Sequence, residues 1–210
     1  MDDELPAAGV TPMPHLDPLD RADLPQFAEL FERYDRIRGF LPNSILTMAR
    51  RPAIAEAFML LNQAVLYEGT VPEDLKMMVA FMASSVAECR YCQGHMANLS
   101  AVYGVPDEKI AAIWEFEESP LFTDAEKAAL RLAAHAGVVP NAAEASDFDE
   151  LKTHFDEGQI VEIVASIALF GYLNRWNDTM ATEMEDVPGR LAERAIGPAG
   201  WDAGKHSPTR

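Results

Sequence analysis

Apolar residues recur along this chain three and four positions apart, and strand-like alternation is almost absent. That feature restricts the fold to helices packed on helices. The stretch DLPQFAELFERYDRIR, residues 23–38, sets Phe27, Leu30, Phe31, Tyr34 and Ile37 on one side, and Gly39 stops it. GFLPNS then reads as a turn. Pro52 opens a helix to about Leu66, with Ile54, Phe58, Leu61 and Val65 on one side. Pro72, Glu73 and Asp74 open the next, whose early acids suit the positive end of a helix. Its run from Leu75 to Val86 is so apolar that it should be central. Further helices are expected to Tyr103, from Pro106 to near Glu118, over Thr123–His135, Phe148–Phe155 and Gln159–Met180, with a last turn at Leu191–Ile196. Thr123 with Glu126 three residues on forms a capping-box pattern.

The expected fold class is therefore all-α, a compact multi-helix bundle. Residues 1–20, with four prolines, read as an N-terminal arm lying on the surface or on a neighbouring subunit. Residues 21–196 read as one helical domain and 197–210 as a flexible tail. Sliding the chain by 85 residues brings Val79–Ala80 onto Val164–Ala165, Cys89 onto Asn174 and Cys92 onto Asn177. This weak similarity suggests two pseudo-repeated halves, 21–104 and 105–196, of which only the first carries thiols.

Charge and composition exclude some partners. A formal net charge of −17 repels nucleic acid and anionic membrane alike. No apolar stretch reaches spanning length before a charged residue breaks it. The opening MDDELPAAG lacks the basic start and apolar run of a signal peptide, so a cytoplasmic location is expected.

The stretch ECRYCQGH, residues 88–95, holds both cysteines of the chain. At this spacing they share one helix face, within mutual reach. Three readings stay open: a redox pair, part of a zinc site, or two inert core residues. Zinc would want further ligands beyond His95, Glu88 or a distant histidine. Free N–H groups at a helix start favour a thiolate. His95, one turn beyond Cys92, is placed to take its proton or balance its charge, which favours the Cys92 thiolate, whereas the helix-start N–H groups favour that of Cys89, so the two effects compete. Glu88 is a candidate to orient that histidine or relay a proton. Tyr91 between the cysteines reads as packing or as a hydroxyl lent to the site. Asn174, Arg175, Trp176, Asn177 and Asp178 make a polar-aromatic knot in an apolar helix, read as a buried network, a subunit contact or a pocket wall.

Three stretches, GFLPNSILTMARRP, LKMMVAFMASSVAECRYCQGH and IALFGYLNRWNDT, resemble successive landmarks of the carboxymuconolactone decarboxylase family, in its alkylhydroperoxidase D-like branch. They fall within residues 39–179. The resemblance implies an all-helical, homo-oligomeric thiol peroxidase with no metal or other cofactor. It makes Cys92 the cysteine that attacks a hydroperoxide, and Cys89 the one that resolves it to a disulfide and meets an external dithiol or small redox protein. Two positions depart from the pattern. The family histidine four residues after the second cysteine is Met96 here, with His95 beside it, and the family glutamate twelve residues before the first cysteine is Met77. Methionine cannot relay a proton. Glu162, which the 85-residue overlay sets on Met77, and Glu88 are the acids that could replace it. The rival readings are a non-enzymatic redox-sensing or structural oligomer and a zinc-binding protein.

Overall fold

A computed structural model describes residues 14–208. The elements in chain order are α1 (Ala28–Arg38), α2 (Asn43–Met48), α3 (Pro52–Tyr67), α4 (Glu73–Val86), α5 (Arg90–Val102), α6 (Asp107–Ala111), α7 (Asp124–Gly137), α8 (Ala145–Leu151), α9 (Glu157–Met180) and α10 (Asp186–Ala195). The remaining regular structure among the described residues is short 3-10 turns, with no strand.

Helix starts follow local chemistry. Pro52 opens α3, where a missing N–H costs nothing. Thr123 and Glu126 bond reciprocally at the start of α7: the Glu126 N–H donates to Thr123 Oγ1 at 3.3 Å and the Thr123 N–H to Glu126 Oε2 at 2.7 Å. Asp156 and Gln159 repeat the motif and start α9 two residues earlier than periodicity alone suggests. The first helix begins later than expected, because Pro25 holds a 3-10 turn up to Phe27. Beyond Pro42 the expected turn becomes α2, and the segment after Pro106 is a five-residue helix followed by a 3-10 turn.

At the centre lie α4, α5 and α9. Helix α4 is buried on nearly every face from Leu75 to Ser85. Against it pack α5, α7 and α9; α10 and α6 cover α5, α8 covers α7, and α3 lies over α4 and α9. Gly137 permits the close approach of α7 to α4, since a Cβ there would stand 2.5 Å from Val86 Cγ2 and 3.2 Å from Ala83 Cα. The two halves suggested by the overlay share one apolar core. Their local structures also differ: α9 runs unbroken through residues 172–174, whereas the equivalent residues 87–89 interrupt the path from α4 to α5.

The C-terminal segment corrects a sequence expectation. Residues 197–208 do not trail away. Trp201 is buried and its Nε1 donates to Arg90 O at 3.3 Å, and His206 is fully buried with Nδ1 2.8 Å from Thr182 O. Two aromatic rings drive this docking, which periodicity did not register because the segment contains no helix long enough to show it. Of the expected N-terminal arm, residues 1–13 lie outside the described residues, while the His15 N–H donates to Met180 O at the end of α9.

Candidate active site

The site begins at the break between two core helices. Helix α4 ends at Val86, and Glu88 adopts left-handed backbone, φ 56°, which reverses the chain. The N–H groups of Glu88 and Cys89 donate to Ser85 O (3.1 Å) and Ser84 O (3.2 Å), so the turn leaves neither exposed donor unpaired. Cys89 is the N-cap of α5 and Cys92 its third residue. Both are free thiols, buried and neighbouring, close enough for each to act on the other's charge. Cys92 lies on the wall of a small cavity of about 30 Å³ enclosed by α1, α2, α3, α5 and α9, while Cys89 stands behind it, fully shielded.

Asn177 Nδ2 donates to Cys92 Sγ at 3.4 Å, and the Thr182 hydroxyl donates to Asn177 Oδ1 at 2.9 Å, which fixes the amide. The polar knot of α9 is thus divided by helix geometry. Asn177 faces the thiols with Phe170 and Leu173, whereas Arg175 and Trp176 face a groove on the other side. Asn174 Nδ2 donates to Ala83 O at 3.3 Å.

His95 is buried one turn past Cys92, stacked on Tyr91 with ring centroids 4.2 Å apart. Its Nε2 lies 2.7 Å from Glu185 Oε2, and the Tyr91 hydroxyl donates to Glu185 Oε1 at 2.8 Å. Glu185, at the start of α10, therefore orients the histidine. Burial, with the Glu185 carboxylate beside it, holds the Tyr91 hydroxyl well above its usual range and so protonated as a donor.

Three expectations are corrected here. Burial, with Cys89 next to it, pushes the Cys92 thiol well above its ordinary value, and the Asn177 N–H only partly offsets this. The resting Cys92 is therefore not the acidic thiol expected from its nearness to His95, which makes no hydrogen bond to it among the described residues. The Glu88 side chain is exposed and its carboxylate forms no hydrogen bond or ion pair among the described residues; the left-handed turn carries it away from the histidine. Glu162 is remote from the thiols. It pairs with buried Lys76 at 2.8 Å and accepts from the Thr70 and Val71 N–H groups. Burial raises its carboxyl, but Lys76 and those two amides outweigh it and bring the value down to about 2. Arg175 and Trp176, as described, line the groove rather than the thiol cavity. Met77 is core.

No sequence signal points to Glu185, Tyr34 or Arg38, whereas the thiol contact of Asn177 agrees with the pocket-wall reading of the knot and with the overlay of Cys92 on Asn177. Among the described residues, no three His, Cys, Asp or Glu groups are arranged to hold a metal ion. No helix among them is long and apolar enough to cross a membrane.

An all-helical bundle with a buried Cys-x-x-Cys pair at the junction of two core helices defines a protein of the alkylhydroperoxidase D-like class. Comparison narrows this. The model of the carboxymuconolactone decarboxylase family matches residues 52–135. Crystal structures of the debrominase Bmp8, apo and as a cysteine-to-alanine variant in complex with 2,3,4-tribromopyrrole, superpose with TM-score 0.80 at 36% and 35% identity, covering 85% of this chain and 96% of theirs. The chain belongs to the carboxymuconolactone decarboxylase family. An alkylhydroperoxidase AhpD core protein, an uncharacterized peroxidase-related protein from Ralstonia eutropha JMP134, shares the fold at TM-score 0.74 and 22% identity, over 83% of this chain and 94% of that one. The uncharacterized protein YnjA of Escherichia coli (strain K12) is 27% identical over 116 residues, 55% of this chain. That match spans 61% of YnjA. Family membership and the cysteine pair support a redox-active enzyme.

Proposed function

We propose that the chain is a dithiol-dependent reductase of hydroperoxides, with Cys92 attacking and Cys89 resolving. The observation that carries this reading is the arrangement of the pair: Cys92 on the cavity wall, Cys89 behind it and in contact. In the first step Cys92 sulfur bonds to the distal peroxide oxygen, the O–O bond breaks, and an alcohol or water leaves with the electron pair. Cys92 becomes a sulfenic acid. Cys89 sulfur then displaces its hydroxyl as water, closing a disulfide. An external dithiol returns two electrons and two protons by exchange. Because Cys92 rests protonated, a base must take its proton. His95 suits that task. Its Nε2–H is held by Glu185, which leaves Nδ1 as the basic nitrogen. Glu185 thereby fills the role of the absent family acid at Met77.

A second reading, reductive dehalogenation, is favoured by the likeness to the debrominase over 96% of that chain and by the aromatic and aliphatic cavity wall of Phe58, Phe170 and Leu173. The electron count is the same: a carbon–halogen bond and two thiols become a carbon–hydrogen bond, hydrogen halide and a disulfide. The experiment supplies dithiothreitol and follows hydrogen peroxide and cumene hydroperoxide consumption beside bromide release from 2,3,4-tribromopyrrole. Peroxide loss that falls at least a hundredfold in Cys92→Ser supports the first reading. Bromide release without peroxide consumption replaces it with the second. Neither activity, with two thiols that remain free after mild oxidation, points to the non-enzymatic alternative.

A further inference from the structure

The cavity that Cys92 lines also carries polar groups that no partner satisfies among the described residues. Tyr34 is 6% exposed, and its hydroxyl has no hydrogen-bond partner among the described residues. Arg38 Nε is likewise buried and unpartnered. The Arg38 guanidinium lies over the Tyr34 ring, 5.4 Å from its centroid, and its Nη2 donates to Tyr67 Oη at 2.9 Å. Those contacts fix its direction without neutralising it. Among the described residues neither Arg38 nor Arg33 pairs with a carboxylate, although acids exceed bases by 17 in the chain. An enclosed cation with no counter-anion is costly, and a guanidinium stays charged at every working pH.

The cavity beside Cys92 adjoins a second, narrower one. The two share Tyr34, Arg38 and Asn62, and the second is bounded by Arg33 and Gln63, which are only half-buried. Arg33 and Arg38 therefore set positive charge along the second cavity, and Arg38 carries it into the wall of the one beside Cys92. The first cavity, of about 30 Å³, has room for a group about the size of a water molecule, closer to an acid head than to a whole aromatic ring.

We propose that the substrate of Cys92 is a small organic acid, whose carboxylate is held by Arg38 Nε–H and the Tyr34 hydroxyl while its reducible bond is presented to the thiol. The inference rests on the reading of Cys92 as the attacking thiol and adds to it the class of compound attacked. Arg38 and Tyr34 are binding residues in this scheme. Charge-assisted hydrogen bonds to a carboxylate here would favour an acid over its neutral amide by about tenfold or more.

The test uses alkylating reagents as probes, so peroxide turnover does not enter the readout. Cys92 sulfur displaces halide from carbon; a C–S bond forms, the C–I or C–Br bond breaks, and the thiol proton goes to solvent. Rates at Cys92 are read peptide by peptide at pH 8.5 for iodoacetate against iodoacetamide, and for 3-bromopropionate against 3-bromopropionamide. The two lengths allow for the span between Arg38 and Cys92. Each acid-to-amide ratio is compared with that of N-acetylcysteine. A ratio at Cys92 at least tenfold above that reference for either length, lost in Arg38→Gln and reduced in Tyr34→Phe, is the expected result. Ratios equal to the reference for both lengths overturn the proposal. If Arg38→Gln does not fold, the wild type decides by competition: propionate should slow carbamidomethylation of Cys92 where propanamide does not, and equal rates overturn the proposal. A chain that reduces no peroxide yet prefers the acids keeps this site and loses the peroxidase reading. A chain that reduces peroxides without the preference does the reverse.

Discussion

Burial sets the state of Cys92, and its direction gives a measurable consequence. The thiol sits well above its ordinary value, because the cavity and Cys89 disfavour a charge that the Asn177 amide only partly supports. Carbamidomethylation of Cys92 in the folded chain should therefore begin at higher pH than in the urea-unfolded chain, where a thiol titrates near about 8.5. Asn177→Ala removes the one stabilising donor and should move the curve further up; an unmoved curve would show that the amide does not act on the sulfur. The linkage has a definite sign. A thiol raised on folding contributes stability that is fully present below the unfolded value and lost as pH rises towards the folded one. Glu185 is the second decisive residue. Glu185→Gln keeps the shape but removes the charge that holds His95 Nε2 at 2.7 Å. Thiol-dependent turnover should drop by about ten- to a hundredfold, within the usual range for an oriented base, and its pH profile should change. Loss of turnover with an unaltered profile would assign Glu185 to packing alone.

At the scale of elements, Glu162 joins the start of α9 to the turn before α4. Lys76 is 1% exposed and also donates to Glu68 O, so its charge depends on that carboxylate. Removing one member of such a pair leaves a buried charge uncompensated, at a cost of about 3 kcal/mol. Glu162→Gln should lose about that much in urea unfolding at pH 7 without changing Cys92 labelling. Glu162 titrates at about 2 against an ordinary 4.5. A carboxylate lowered on folding contributes stability that is present above the unfolded value and lost as pH falls towards the folded one. The wild type should thus lose this contribution between about pH 4.5 and 2, and the variant should show a flatter acid limb. Superposable acid limbs would contradict the clamp. The turn at Glu88 works at the same scale. Its left-handed residue lets α5 start immediately after α4, which places two thiols one turn apart at a buried helix start.

For the whole molecule, we propose a homo-oligomer. A groove of about 980 Å³ between α7, α8 and α9 is walled by Val138, Val139, Val164, Tyr172 and Trp176, and Val139 is 77% exposed. Open apolar surface of this kind is characteristic of a contact face. Chains of charge −17 repel one another, so the contact must fall where charge is sparse, and a second copy of this chain presents the same wall, in which Arg175 is the one charged residue and no acid appears. Sedimentation equilibrium should give a mass that is a multiple of 23.1 kDa, with association strengthened by moderate salt as repulsion is screened. Val139→Asp should weaken it. A single 23.1 kDa species at micromolar concentration in moderate salt would refute the assembly.

What the sequence determined by itself is what short-range chemistry encodes. Helical class, the caps at Pro52 and Thr123, the central place of α4 and the one-turn spacing of Cys89 and Cys92 all depend on residues within four positions of each other. The fold and the thiol pair were legible for that reason. The rest of the site is assembled from pairs far apart in the chain: Tyr91 with Glu185 across 94 positions, Cys92 with Asn177 across 85. No helical periodicity connects such residues, and the 85-residue overlay reaches only the second pair, so only the packing of α10 and α9 on α5 could decide that Glu185 holds His95 while Glu88 faces solvent and Glu162 holds Lys76. The C-terminal segment follows the same rule. Trp201 and His206 belong to no long helix, and only the surface of α5 and the end of α9 give them a place to be buried. Burial itself is a tertiary quantity, and it reversed the acidity expected of Cys92 from its helical neighbours.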